Sequence, residues 1–131
     1  MRAELDRVVL DADLAIPDDK LGDDVELLAL VRPNNPTGGA LPLAQLEATL
    51  ARREGLVLLD EAYIDYSDEA ATASGSAPAA LPSTTLLACH PQLLIGRSLS
   101  KGLIAGVRLG YGLGDPQVIA ALERVLFAPD H

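Results

Sequence analysis

The sequence predicts an α/β fold, a mostly parallel sheet with flanking helices, and three observations carry that reading. Short apolar runs alternate with stretches of helical periodicity, the pattern of successive β-α-β units. The apolar runs end in loops rich in Pro, Asn, Gly, Asp or Ser, which break regular structure. A chain of 131 residues that is 49% hydrophobic has the size and apolar content of one globular domain.

Taken in order, Val8 to Leu10 reads as a weak first strand, followed by an acidic loop through Pro17, Asp18, Asp19, Gly22, Asp23 and Asp24. Glu26 to Val31 reads as a buried strand that ends at Pro33-Asn34-Asn35-Pro36-Thr37-Gly38, a sequence that forces a turn. Pro42 at a first helical position starts a helix with Leu43, Leu46 and Leu50 on one face, and Gly55 stops it. Leu56 to Leu59 is a second buried strand, delivering Asp60-Glu61-Ala62-Tyr63 at its end. The polar, Ala/Ser/Gly-rich stretch from Asp65 to Pro78 reads as a surface loop, with some helix between Ala79 and Ala88. Leu93 to Gly96 is a third apolar run leading into Arg97-Ser98-Leu99-Ser100-Lys101-Gly102, and Val107 to Leu113 is a fourth strand. Asp115-Pro116 caps a last helix whose buried face is Val118, Ile119, Leu122, Val125 and Leu126.

Composition excludes several function classes. The formal net charge is −9 and the ten basic residues are scattered, which argues against a nucleic-acid partner. No run approaches the roughly 20 apolar residues of a membrane helix, and the opening Met1-Arg2-Ala3-Glu4 lacks the basic-then-apolar signal pattern, so a cytoplasmic location is expected. One cysteine and two histidines give no metal spacing; Cys89 is expected in the core, and His90 and His131 at the surface.

In an open parallel sheet, ligands bind at the carboxyl ends of the strands, where loops and helix starts converge. Three successive strands here end in polar groups: Asn35 after the first, Asp60 and Tyr63 after the second, and Ser98, Ser100 and Lys101 after the third. Singly, each has a bland role as a turn former, a cap or a surface lysine. An amine, a carboxylate, a phenol and an amide at one sheet edge form a site hypothesis.

Asn35-Pro36-Thr37-Gly38, Asp60-Glu61-Ala62-Tyr63 and Ser98-Leu99-Ser100-Lys101, in that order and spacing, resemble the fold-type I pyridoxal-phosphate-dependent aminotransferases. Pro33-Asn34-Asn35-Pro36-Thr37-Gly38, Asp60-Glu61-Ala62-Tyr63-Ile64-Asp65-Tyr66 and Gly106-Val107-Arg108-Leu109-Gly110-Tyr111 look most like the histidinol-phosphate aminotransferase subgroup. The resemblance runs over roughly residues 7 to 126 and implies that residues 1–131 form a single, partial cofactor-binding large domain. The family's preceding segment and its C-terminal small domain are expected to be absent.

The resemblance also implies roles. Lys101 would carry pyridoxal 5'-phosphate as a Schiff base and later move the substrate proton. Asp60 would pair with the pyridinium nitrogen, and Tyr63 and Asn35 would donate to the phenolate oxygen. Ser98, Ser100 and Arg108 would hold the phosphate, with Arg108 suited to bidentate binding. Arg108 lies seven positions after Lys101, one fewer than is usual in the family, a loop in which Gly102 and Gly106 permit positive φ. Glu61 is not assigned a catalytic part, because neighbouring strand residues face opposite ways. The implied reaction is amino transfer between an amino acid and a 2-oxo acid, histidinol phosphate with 2-oxoglutarate being the favoured pair of small-molecule partners. The chain alone is expected to be weak or inactive, and to associate as a homodimer or with a complementary fragment. Three rival readings are a non-catalytic truncated remnant, a related enzyme such as a threonine-phosphate decarboxylase, and a generic phosphate- or nucleotide-binding module. The last is not supported by any glycine-rich phosphate motif.

Overall fold

Alternation of burial along the first strand shows how the sheet is built. In the computed structural model, which describes residues 4–13, 15–21, 25–67, 82–102, 106 and 108–127, β1 spans Leu27–Val31 with Leu28 and Leu30 inside and their neighbours outside. The other elements are α1 (Leu43–Ala51), β2 (Leu56–Asp60), β3 (Leu93–Ser98), α2 (Leu99–Gly102), β4 (Gly110–Gly114) and α3 (Pro116–Leu126). Short 3-10 turns occupy Asp18–Lys20, Ile64–Tyr66 and Ser83–Ala88. The four strands lie in the order β1-β2-β3-β4, parallel except for β4, which runs antiparallel to β3. The mixed α/β class with a mostly parallel sheet is therefore as expected.

The core sits on one side of the sheet. Leu28 and Leu30 of β1, Val57 and Leu59 of β2, and Leu93 and Ile95 of β3 pack with Leu46 and Leu50 of α1 and with Leu21, Leu41 and Leu86. On the opposite face Leu27, Val31 and Leu56 remain exposed. This corrects the expectation of fully buried strands: apolar runs with no polar alternation suit a sheet covered on both faces, and among the described residues the second face is covered only near β4, where Ile119 of α3 lies beside Leu94.

Several local expectations shift. Val8 to Leu10 forms no strand, and Val9 is largely exposed. Pro42 is the N-cap of α1 rather than its first helical residue; its carbonyl accepts from the Leu46 N–H at 3.0 Å. The helix ends at Ala51 with Arg52 as its C-cap, so Gly55 does not stop it. Of the helix expected between Ala79 and Ala88, the described part is the Ser83–Ala88 3-10 turn; residues 79–81 lie outside the described residues. Most of the Asp65 to Pro78 loop, Val107 and His131 also lie outside them. Cys89 is exposed rather than in the core, and His90 is half-buried. Asp115 caps α3 as read from the sequence, its Oδ1 accepting the Gln117 N–H at 2.8 Å with Pro116 at the first helical position. The apolar face of α3 is open, however: none of its residues is buried, and Val125 and Leu126 are about three-quarters exposed.

Gly55 has a different duty. A Cβ there would lie 2.6 Å from the Val25 carbonyl oxygen and 3.0 Å from that of Glu26, because β2 enters the sheet against the backbone preceding β1. Both obstacles are main chain and cannot swing aside. Gly55→Ala should therefore cost about 1–3 kcal/mol through overpacking, read as a lower urea midpoint at unchanged slope.

Candidate functional site

Because β1, β2 and β3 run parallel, their carboxyl ends lie along one edge. Val31 pairs in register with Asp60, and Asp60 with Gly96, so β1 and β2 end level and β3 runs two residues further, to Ser98. The loop after β1 is held by its own backbone: the Gly38 N–H donates to the Asn34 carbonyl and the Asn34 N–H to the Gly39 carbonyl, both at 2.7 Å. Gly38 takes φ +73°, the left-handed region that a side chain disfavours. The Asn34 amide donates to Thr37 Oγ1 at 2.8 Å, which leaves the next residue, Asn35, facing outward. After β2 the chain turns into the Ile64–Tyr66 3-10 turn with Tyr63 as its N-cap; buried Ile64 fixes this turn to the core. After β3 the chain passes directly into α2, which carries Lys101.

These segments bring three of the seven expected residues into one line of contacts. Asn35 Nδ2 donates to the Tyr63 hydroxyl at 3.3 Å. The Lys101 ammonium lies 5.1 Å from the centroid of the Tyr63 ring, within the roughly 6 Å over which a cation is attracted to a ring face. Asp60 is exposed at the same edge and three residues before Tyr63; its Oδ1 accepts the Ala62 N–H at 2.9 Å, so part of its task is to cap its own turn. Ser98 Oγ likewise accepts the Ser100 N–H at 3.2 Å, closing the bend between β3 and α2. Arg108 stands apart. It is exposed, adopts φ +54°, and makes no side-chain hydrogen bond or ion pair among the described residues. Gly106 does not take the left-handed conformation, so the shortened loop places that turn on a non-glycine residue.

A cleft of about 450 Å³ opens beside this line, walled by Asn34, Asn35, Pro36, Tyr63, Tyr66 and Ser67 among others. Neither Lys101 nor Asp60 lines it, so it adjoins the amine and the carboxylate rather than containing them.

Beneath the edge lies a buried charge cluster that the sequence reading did not foresee. Glu61 is fully buried; its Oε2 accepts two hydrogen bonds from Arg97, at 2.9 and 2.8 Å. Its Oε1 lies 3.5 Å from the Arg32 guanidinium and accepts from the Ser83 hydroxyl. Arg32 also donates through Nε to the Leu41 carbonyl at 2.7 Å. Burial works to lower the Arg97 pKa, but its hydrogen bonds and charge pairing with Glu61, helped by Tyr111, outweigh burial and hold it above the ordinary value. The available signal was the alternation that sets Glu61 opposite Asp60, which predicts a buried carboxylate in need of a cation.

The chain is similar to several known proteins. A histidinol-phosphate aminotransferase from Thermobifida fusca is 41% identical over 117 residues, covering 88% of this chain and 29% of that protein. The solved histidinol-phosphate aminotransferase of Sinorhizobium meliloti, in complex with pyridoxal-5'-phosphate, superposes with a TM-score of 0.70 at 27% identity over 92% of this chain and 32% of its own. A decarboxylase from Sulfurospirillum multivorans superposes with a TM-score of 0.70 at 34% identity, over 88% of this chain and 33% of its own. The chain thus spans about a third or less of the length of each of these relatives. The family model described as aminotransferase class I and II matches residues 4–126, nearly the whole sequence. This chain belongs to the class I and II aminotransferase family.

Proposed function

We propose that this chain is a cofactor-binding section of a pyridoxal-phosphate-dependent aminotransferase, and that it acts in transfer of an amino group from histidinol phosphate to 2-oxoglutarate. The observation that carries the reading is the Asn35–Tyr63–Lys101 line of contacts at the carboxyl edge of the parallel strands, in a chain of this family. The donor set fits the cofactor. It offers one amine for an aldehyde, a phenol and an amide for a phenolate oxygen, and in Asp60 an exposed carboxylate with no cationic partner among the described residues. When bound, pyridoxal phosphate supplies an electron sink for negative charge developing on the substrate carbon.

The chain's own residues divide the work. Asp60 would face the ring nitrogen and favour its protonated form, acting through charge and not as a base. Tyr63 and Asn35, already hydrogen-bonded to each other, would orient the ring through its phenolate oxygen. Ser98, Ser100 and Arg108 would hold the phosphate, Arg108 being exposed and next to Leu109, whose carbonyl accepts from the Leu99 N–H at the start of α2. Lys101 would supply the amine for the cofactor aldehyde, and its Nζ would hold or move the proton at the substrate carbon. The whole enzyme is proposed to be a cytoplasmic homodimer; the open apolar faces of α3 and of the sheet support association.

The test is incubation of the purified chain with pyridoxal phosphate, borohydride reduction and peptide mapping, with Lys101→Ala beside it. A visible absorption band and an adduct on Lys101, both lost in the variant, are the expected results; an adduct spread over accessible amines would overturn the reading. The likeness to the decarboxylase favours a second reading, loss of carbon dioxide from a phosphorylated amino acid. Release of carbon dioxide without a 2-oxo acid acceptor would select it over amino transfer.

A further inference from the structure

Lys101 sits in a helix too short to hold itself in place. A four-residue helix such as α2 has no appreciable stability of its own, since nucleation is unfavourable and most helical stability comes from packing. Its orientation, and that of the Lys101 amine, must come from its neighbours. At its start, the Leu99 N–H donates to the Leu109 carbonyl at 3.0 Å and the Ser100 N–H to Ser98 Oγ at 3.2 Å. At its end, the carbonyls of a last helical turn lack partners within the helix. One of these is the Lys101 carbonyl, and the Tyr66 hydroxyl donates to it.

From this we infer that Tyr66 is a positioning residue for Lys101: its hydroxyl holds the Lys101 backbone while Tyr63, on the same 3-10 turn, faces the amine. The inference rests on the proposed cofactor role of Lys101 and adds the residue that sets the aim of its amine. Both tyrosines belong to one rigid piece. The Tyr66 N–H donates to the Tyr63 carbonyl at 3.0 Å and the Ile64 N–H to the Glu61 carbonyl at 3.1 Å. The two rings lie 6.4 Å apart, and buried Ile64 and Glu61 tie the turn to the core. The distance between the Lys101 carbonyl and its amine is therefore spanned by a turn that cannot stretch. Tyr66 is itself 67% exposed, so its ring contributes little to the core, and the hydroxyl's contact with Lys101 is the feature its packing leaves to explain.

The sequence supplies its own control, because it contains two lysines, Lys20 and Lys101. Lys20 is on the Asp18–Lys20 turn, beside Asp19 at 3.6 Å, with its side chain 60% exposed. The Nζ amine of either lysine forms a carbon–nitrogen bond to an aldehyde carbon with loss of one water, and borohydride then delivers hydride to that carbon, fixing the adduct for mapping. The experiment measures the Lys101:Lys20 adduct ratio in the 131-residue chain and in Tyr66→Phe, with pyridoxal phosphate and, separately, with propanal, which has neither ring nor phosphate.

With pyridoxal phosphate the ratio should favour Lys101 and fall about three- to tenfold in Tyr66→Phe, the shift expected for loss of one ordinary hydrogen bond. The propanal ratio should stay within about twofold, since a small aldehyde needs only an accessible amine and not an aimed one. Ratios that fall together, or a pyridoxal phosphate ratio that does not fall, overturn the inference while leaving the proposed function standing. No preference for Lys101 in the unaltered chain overturns the proposed function and this inference with it. A Tyr66→Phe chain that fails to fold by circular dichroism also overturns the inference, because a hydroxyl that only positions Lys101 is not needed by the core.

Discussion

Glu61→Ala is expected to remove about 3–5 kcal/mol of folding stability, the usual cost of taking one partner from a buried ion pair. The carboxylate is fully buried and stands between Arg97, Arg32 and the Ser83 hydroxyl. Without it two guanidiniums face each other in a poorly hydrated space, and the hydroxyl loses its acceptor. The cluster also joins the ends of β2 and β3, because Glu61 directly follows the first strand and Arg97 lies in the second. Asp60 and Ser98 are the immediate neighbours of these two residues on the exposed edge. Glu61→Gln should lose less, since its one amide oxygen can still accept from Arg97 and its NH2 can donate to the Ser83 hydroxyl oxygen, while the charge is gone. Urea unfolding of both variants checks the prediction; a loss under about 1 kcal/mol for Glu61→Ala would show the cluster to be as weak as a surface pair.

The fold was legible where local chemistry and long-range packing agree. β1, β2 and β3 were each located from their apolar runs to within two residues at either end. Asp115-Pro116 fixed the start of α3 through a side-chain cap that needs no tertiary contact. Gly55 shows the opposite case. Its placement after a helical pattern reads as a stop, but its cause is the approach of the Val25 backbone, a contact between residues thirty positions apart that no local pattern encodes. The burial of the strands and of α3 was misjudged for a related reason. Apolar content states what a face needs to cover it, and the described residues cover one side of the sheet fully but the other only near β4.

The candidate site divides in the same way. Strand-end polar residues are readable because a parallel sheet brings such ends to one edge whatever the details, and Asn35, Tyr63 and Lys101 do lie in a line of contacts. The position of Arg108 was not readable, since it depends on how a shortened loop resolves its backbone; the left-handed conformation falls on Arg108 itself and not on Gly106. Tyr66 and Arg97 were invisible as parts of the site because each acts across the fold, one on the backbone of a helix 35 residues away and the other on a carboxylate 36 residues away.

Leu59→Ala should cost about 2–5 kcal/mol, the range for truncating a fully buried leucine, and Leu58→Ala less than half as much. The two residues are adjacent on the central stretch of β2, yet Leu59 is completely buried in the core while Leu58 is half-buried on the other face. Leu59→Ala removes contacts on the side packed under α1 and leaves a cavity; Leu58→Ala mainly uncovers surface that water already reaches. Marginal stability of a few kcal/mol is normal for a small domain, so Leu59→Ala should also abolish selective trapping at Lys101, since β2 carries both Asp60 and the turn that holds Tyr63 and Tyr66. Equal costs for the two variants would mean that the second face of the sheet is covered in solution. The Leu58→Ala loss would then grow with protein concentration as copies associate through Leu27, Val31 and Leu56, whereas the Leu59→Ala loss would stay constant.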